Sequence, residues 1–192
     1  MYLTNSKLVI QMISFCRHQS FLLFSLLVLL ASFSLSAQTQ IGADIDGEAE
    51  NDGSGESVSL SSDGSRVAIG APVNGGNGSA SGHVRIYDYN GSAWTQLGPD
   101  IDGEAAGDQS GHSVSMPDAN TLAIGANAND GNGDYSGHVR VYNWSGTAWV
   151  KKGADIDGEA AGDFFGQSVN MPDANTVAIG ARNKNGNGAS AG

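Results

Sequence analysis

Asp100-Ile101-Asp102-Gly103-Glu104-Ala105-Ala106-Gly107-Asp108 recurs 55 residues later as Asp155-Ile156-Asp157-Gly158-Glu159-Ala160-Ala161-Gly162-Asp163. Its opening is already present 56 residues earlier, as Asp44-Ile45-Asp46-Gly47-Glu48-Ala49. A fixed period of this size marks one supersecondary unit copied in tandem, so the fold is decided by reading a single unit. Residues shared by all copies serve packing first, because a catalytic site needs one copy and not three.

The copies align over most of their length. Val67-Ala68-Ile69-Gly70-Ala71 matches Leu122 to Ala126 and Val177 to Ala181, Gly82-His83-Val84-Arg85 matches Gly137 to Arg140, and Trp94 matches Trp149. Within the first copy, Ser57-Val58-Ser59-Leu60-Ser61 alternates polar and apolar residues with the period of a half-buried strand. Asp63-Gly64 supplies a turn, and Arg66 to Ala71 is a second strand. The second copy replaces that turn with Pro117-Asp118-Ala119-Asn120, one residue shorter, which accounts for the spacings of 56 and 55. A Gly- and Asn-rich loop, Asn74 to Ser81, separates the second strand from a third, His83 to Tyr89. Asn90-Gly91 signals a hairpin into a fourth strand, Ala93 to Leu97.

Four short antiparallel strands per unit, with no helical periodicity, predict an all-β chain: a partial β-propeller of four-stranded antiparallel blades. The blades are expected at about 57–98, 113–153 and 168–192, the last incomplete at two strands, which makes about two and a half blades. The segment Gln38 to Asp46 resembles Trp94 to Asp102 and is expected as an orphan N-terminal fourth strand. The third copy stops at Gly192, aligned with Gly82 and Gly137, so the chain is expected to be a fragment of a longer protein. A single blade cannot cover its own faces and must stack on neighbours. Open strand edges then predict self-association.

Residues 1–37 contain no acid, and Lys7, Arg17 and His18 precede an apolar run from Phe21 to Phe33 that ends in Ser34-Leu35-Ser36-Ala37. This reads as a secretory signal peptide, cut near Ala37, and places the protein outside the cell or on its surface. The run is shorter than the roughly 20 residues that span a bilayer, so no membrane insertion is expected after cleavage. Beyond residue 37, 7 basic residues stand against 20 acidic ones, a formal charge of −13. Such a surface excludes nucleic acid as a partner, since phosphate binding needs clustered Lys and Arg. The sole cysteine, Cys16, lies in the signal segment, so stability rests on strand pairing and burial.

The repeats resemble FG-GAP repeats, the units of integrin α-chain propellers and of many secreted bacterial proteins. Phe165-Gly166-Gln167-Ser168-Val169 carries the first half of that signature and Gly70-Ala71-Pro72 the second. Ser54-Gly55 and Ser110-Gly111 depart from Phe-Gly, and Asn127 and Arg182 stand in place of Pro. The resemblance implies a propeller used for adhesion or binding of an extracellular protein or glycan ligand. Integrin-type repeats carry a calcium loop between the first two strands. Here that place holds one carboxylate, Asp63 or Asp118, too few for a calcium shell. Kelch repeats are the nearest rival, but the double glycine expected after their second strand is absent.

The acidic segments are the candidate metal sites. Asp100, Asp102, Glu104 and Asp108, and likewise Asp155, Asp157, Glu159 and Asp163, place hard oxygen ligands around glycine turns in the manner of a calcium loop. Against this stands a solvated loop in which Asp and Gly make turns and cap backbone N–H groups. His83 and His138 repeat in register and read as structural, and the position of His112 holds Glu56 and Gln167 in the other copies. No nucleophile elbow or paired Ser, His and Asp is visible, so a non-catalytic module is expected. Tyr135 and Phe164 stand in polar loops, where they pack locally or meet a ligand such as a glycan. The alternative function is a scaffold or accessory domain of an extracellular polysaccharide-active enzyme.

Overall fold

The computed structural model describes residues 39–184. The expected signal segment 1–37, Gln38 and residues 185–192 lie outside the described residues. The chain divides into two compact units, Met1–Gln40 and Ile41–Gly192, and every named element belongs to the second. Among the described residues there is no helix, and none therefore that is long and apolar enough to cross a membrane.

Among the described residues, twelve strands form three antiparallel sheets. The first contains β1 (Ser57–Leu60), β2 (Arg66–Ala71), β3 (His83–Tyr89), β4 (Trp94–Gln96) and β5 (Ile101–Asp102). The second contains β6 (Ser110–Asp118), β7 (Thr121–Ala126), β8 (His138–Trp144), β9 (Trp149–Lys151) and β10 (Ile156–Asp157). The third pairs β11 (Phe165–Asp173) with β12 (Thr176–Ala181). The strands expected at Arg66–Ala71 and His83–Tyr89 form with those bounds.

Three local readings are corrected. The segment expected as an orphan strand carries no strand over residues 39–46; Ile41 instead accepts a hydrogen bond on its carbonyl from the Trp94 indole at 3.0 Å. Pro117 and Asp118 lie inside β6, and only Ala119-Asn120 turn, because Asp118 already pairs with Thr121. Pro117 is tolerated there because the register shifts between Ser115 and Asp118, so its missing N–H falls at an irregularity of the ladder. Finally, the acidic segment does not begin as a loop. After β4 leaves the upper part of β3, β5 returns to the same edge, pairing Ile101 with Val84 and Asp102 with His83. β9 and β10 repeat this on β8. The fourth strand is thus split in two, interrupted in the first sheet around Gly98-Pro99.

The sheets pack face on face. β6 lies across β1 and β2, and β11 lies across β6 and β7. The alternation in each first strand assigns its two faces. Ser57 and Ser59 point forward, toward the next sheet: the Ser57 hydroxyl donates to the Gly111 carbonyl at 2.6 Å, and the Ser59 hydroxyl accepts from the Met116 N–H at 2.9 Å. One repeat on, Ser113 donates to the Gly166 carbonyl at 2.7 Å and Ser115 accepts from Met171 N–H at 2.9 Å. The apolar alternates face back. Val114 and Met116 pack with Ala68, Val84, Ile86, Leu122 and Ile124 in one core, and Met171 packs with Ala123 and Val139 in the next. Each fully buried aliphatic side chain here contributes about 1.5–3 kcal/mol. Gly70 and Gly125 permit the approach, since a Cβ on either would overlap the carbonyl oxygen of Gly111 or Gly166.

Candidate functional site

The acidic segments resolve into two kinds of structure. The first is an ion-pair cluster centred on arginine. Arg85, on β3, makes hydrogen bonds from Nε and Nη2 to both oxygens of Asp100, and its Nη2 also meets Glu48 at 2.6 Å. Arg140, on β8, pairs with Asp155 at 2.9 and 2.7 Å and with Glu104. The glutamate therefore comes from the acidic segment before the sheet and the aspartate from the segment after it. Burial alone would raise the Asp100 carboxyl, but the hydrogen bonds and charge of Arg85, with Gln96, outweigh it and hold Asp100 below its usual range. Asp155 is lowered further, first by the Arg140 hydrogen bond and then by Lys151.

The second kind is a buried cap. Asp108 accepts from the Ala105 N–H at 3.1 Å and from the Asn129 amide at 3.1 Å. Asp163 accepts from Ala160 N–H, and Asp52 from Ala49 N–H and Asn74. These carboxylates are buried, and they tie each acidic turn to its own short loop. Asp102 and Asp157 sit exposed on β5 and β10, and Glu159 pairs with Lys184.

Among the described residues, ligand-type atoms of three or more acids and histidines gather within 4.8 Å at two places: Glu48, His83 and Asp100, and Glu104, His138 and Asp155. The four acids of a single segment do not gather. His83 and His138 are buried, with His83 Nδ1 3.7 Å from Asp100. Burial, then the charge of Arg140, lowers the His138 pKa from its usual value. These six residues are the ones that could hold a metal. A calcium ion needs six to eight oxygens, and here it must first displace a guanidinium from two carboxylates. The chemistry that the geometry favours is salt bridging.

Aligned polar residues also meet across the sheets. His112 lies 3.5 Å from Glu56 on one side and 2.8 Å from the Gln167 amide on the other, and Gln167 accepts from Asn127. The sequence signal for this contact is that Glu56, His112 and Gln167 occupy the same position in successive copies.

A third arrangement breaks the repeat. The rings of Tyr135 and Phe164 stack at 5.5 Å and 18°, and the Arg182 guanidinium lies 5.1 Å from the centre of the Phe164 ring. Tyr135 is 53% exposed. Both aromatics adopt left-handed backbone, φ 56° and 52°, and the Phe164 N–H bonds the Tyr135 carbonyl at 3.0 Å. Ala80 and Gln109 make the same backbone contact one repeat earlier, with no rings to stack. Seven Lys and Arg residues lie between residues 39 and 184. Arg66, Arg85, Arg140, Lys151 and Lys184 pair with carboxylates, and Lys152 donates to the Ala174 carbonyl. Among the described residues Arg182 alone has only a ring beneath it. Sequence reading singled out Tyr135 and Phe164 but missed Arg182, which only the folded chain brings to them.

Compared with protein-family models and with curated proteins, the chain matches none.

Proposed function

We propose that the chain is a non-catalytic extracellular binding or adhesion module, built of FG-GAP-like propeller blades, whose ligand is a neutral glycan taken on the Tyr135–Phe164–Arg182 stack. The observation that carries this reading is the departure of these three positions from the repeat. Packing positions keep their residues from copy to copy, as Ala68, Ala123 and Ala178 do. Tyr135 stands where Ala80 stood, Phe164 where Gln109 stood, and Arg182 where Pro72 and Asn127 stood.

The chemistry fits a sugar ring. An exposed aromatic face offers apolar area to the C–H side of a pyranose, and a guanidinium that meets no carboxylate among the described residues offers several donors to its hydroxyls. The surplus of acid beyond residue 37 disfavours polyanionic glycans at long range. The acidic composition and the apolar N-terminal run support an extracellular setting, and the split four-stranded sheets with repeated face packing support the blade reading. The test is a neutral-glycan array followed by calorimetry. Tyr135→Ala is expected to weaken binding at least tenfold while leaving the melting temperature within about 2 °C. Equal binding by the variant, or no glycan bound by the parent chain, ends the proposal.

A further inference from the structure

Among the described residues four asparagines precede a glycine, and the fold treats one of them differently. Asn74 is buried, and its Nδ2 donates to Asp52 at 2.8 Å. Asn77 and Asn132 donate from Nδ2 to the carbonyls of Gly103 and Gly158, each at 2.9 Å, which ties their loops to the following acidic segment. Asn90, in the turn between β3 and β4, is exposed, and its Nδ2 donates to no group among the described residues. Its Oδ1 instead accepts three bonds, from the Ser92 N–H at 3.0 Å, the Ser92 hydroxyl at 2.8 Å and the Ala93 N–H at 3.0 Å. Gly91 lies between the amide and these donors, at φ 94°, with open space where a Cβ would stand. Its N–H has no partner among the described residues. The turn does not need the asparagine to form. The next copy has Ser145-Gly146-Thr147-Ala148 in its place, and the Ser145 hydroxyl accepts from the Ala148 N–H at the same 3.0 Å.

We propose that Asn90-Gly91 is a self-modification site, at which the Gly91 backbone nitrogen closes on the Asn90 side-chain carbonyl to form a succinimide. The Gly91 N–H gives its proton to solvent, the bond from its nitrogen to Cγ forms, and the bond from Cγ to Nδ2 breaks. Nδ2 takes up one proton and leaves as ammonia. Water then adds to either carbonyl of the ring, and opening leaves an aspartyl or an isoaspartyl linkage. As the nitrogen attacks, negative charge develops on Oδ1, where three donors already converge. Donors aimed at a developing oxyanion are the strongest accelerating device in acyl transfer. The departing amide is open to water, whereas at Asn77 and Asn132 its loss would break the bond to the next segment. Glycine adds no side chain to screen the attacking nitrogen. The product places one more negative charge on an acidic surface. The isoaspartyl route also inserts an extra main-chain carbon into the turn that the Asn90 N–H closes on the Ala93 carbonyl at 3.1 Å.

The experiment is peptide mapping by mass spectrometry on the chain aged at neutral pH, folded and in urea, with isoaspartate detected by enzymatic methylation. In the folded chain Asn90 is expected to convert about tenfold or more faster than Asn77 and Asn132. In urea the three sites are expected to react at similar rates, with Asn90 slower than in the fold. Ser92→Ala removes one donor and keeps both N–H groups, and it is expected to slow Asn90 about fivefold or more with unchanged far-UV circular dichroism. Asn90→Ser, which installs the residue of the next copy, is expected to keep the fold and to abolish the charge shift at this turn on isoelectric focusing. An Asn90 that reacts no faster than Asn77 and Asn132 in the folded chain overturns the inference. So does an Asn90 that reacts faster in urea than in the fold, or a Ser92→Ala chain that modifies at the parent's rate.

Discussion

Thr121–Ala126 and Thr176–Ala181 are nearly the same hexapeptide, TLAIGA and TVAIGA, yet every residue of the first is buried and none of the second is. Both are second strands, paired antiparallel to their first strands through the same register. What differs is the neighbourhood. β7 has β8 beside it, β6 is seated on the first sheet, and β11 covers the forward side, whereas the described part of the third sheet has only its back side covered. Burial is therefore set by the adjoining sheet and not by the strand's own sequence. The small residues Ala and Gly repeat because the next sheet must come close, and the β-branched residues repeat because the previous one must be filled.

Cutting the same side chain in both strands should give very unequal losses. Ile124→Ala is expected to cost about 2–5 kcal/mol, the range for a fully buried aliphatic residue, and Ile179→Ala about 1 kcal/mol. Urea unfolding of the two variants measures both, and equal losses would remove the distinction between the strands. Gly125→Ala comes next, at about 1–3 kcal/mol, because its methyl would overlap the Gly166 carbonyl. Gly180→Ala meets only the rotatable Ser168 hydroxyl and is expected to cost less than half as much. A smaller effect isolates the polar part of the junction. Ser113→Ala deletes the bond to Gly166 and is expected to cost about 1 kcal/mol, while Ser168→Ala, on the exposed forward face, is expected to change stability by a few tenths.

The mildest effect is in pH. His138 is buried among Arg140, Asp155, Glu104 and Asp108, and its folded pKa is depressed, so the fold prefers the neutral ring. The unfolded chain takes up a proton near 6.5, and stability is lost as pH falls through that value toward the folded pKa. Asp155 is depressed as a carboxylate, so its contribution persists above the unfolded value of 3.8 and disappears below it. Melting temperature against pH is expected to fall in two stages on acidification, and His138→Gln is expected to remove the upper one. An unchanged profile would place the titrating group elsewhere.

Much of the fold was legible in the sequence because the strands carry strict alternation and the repeat supplied three readings of each. Arg66–Ala71 and His83–Tyr89 formed as read. The missed strands, Ile101–Asp102 and Ile156–Asp157, have two residues each, lie in Asp- and Gly-rich sequence and owe their order to an edge of β3 or β8 that only the folded sheet provides. The segment before the first sheet failed as a strand for a related reason. Likeness to Trp94–Asp102 does not supply a partner edge, and Ile41 found the Trp94 indole instead. The acidic residues were visible as a class but not in their roles, since Arg85 and Arg140 reach across from strands to claim them. The ring stack was two-thirds visible, because an exposed aromatic is conspicuous in a polar loop whereas an arginine is not.

Hydrogen exchange reads both copies of the hexapeptide in one sample. At high dilution the amides of Thr121–Ala126 are expected to exchange far more slowly than those of Thr176–Ala181. Equal protection of the two hexapeptides at every concentration would contradict the account.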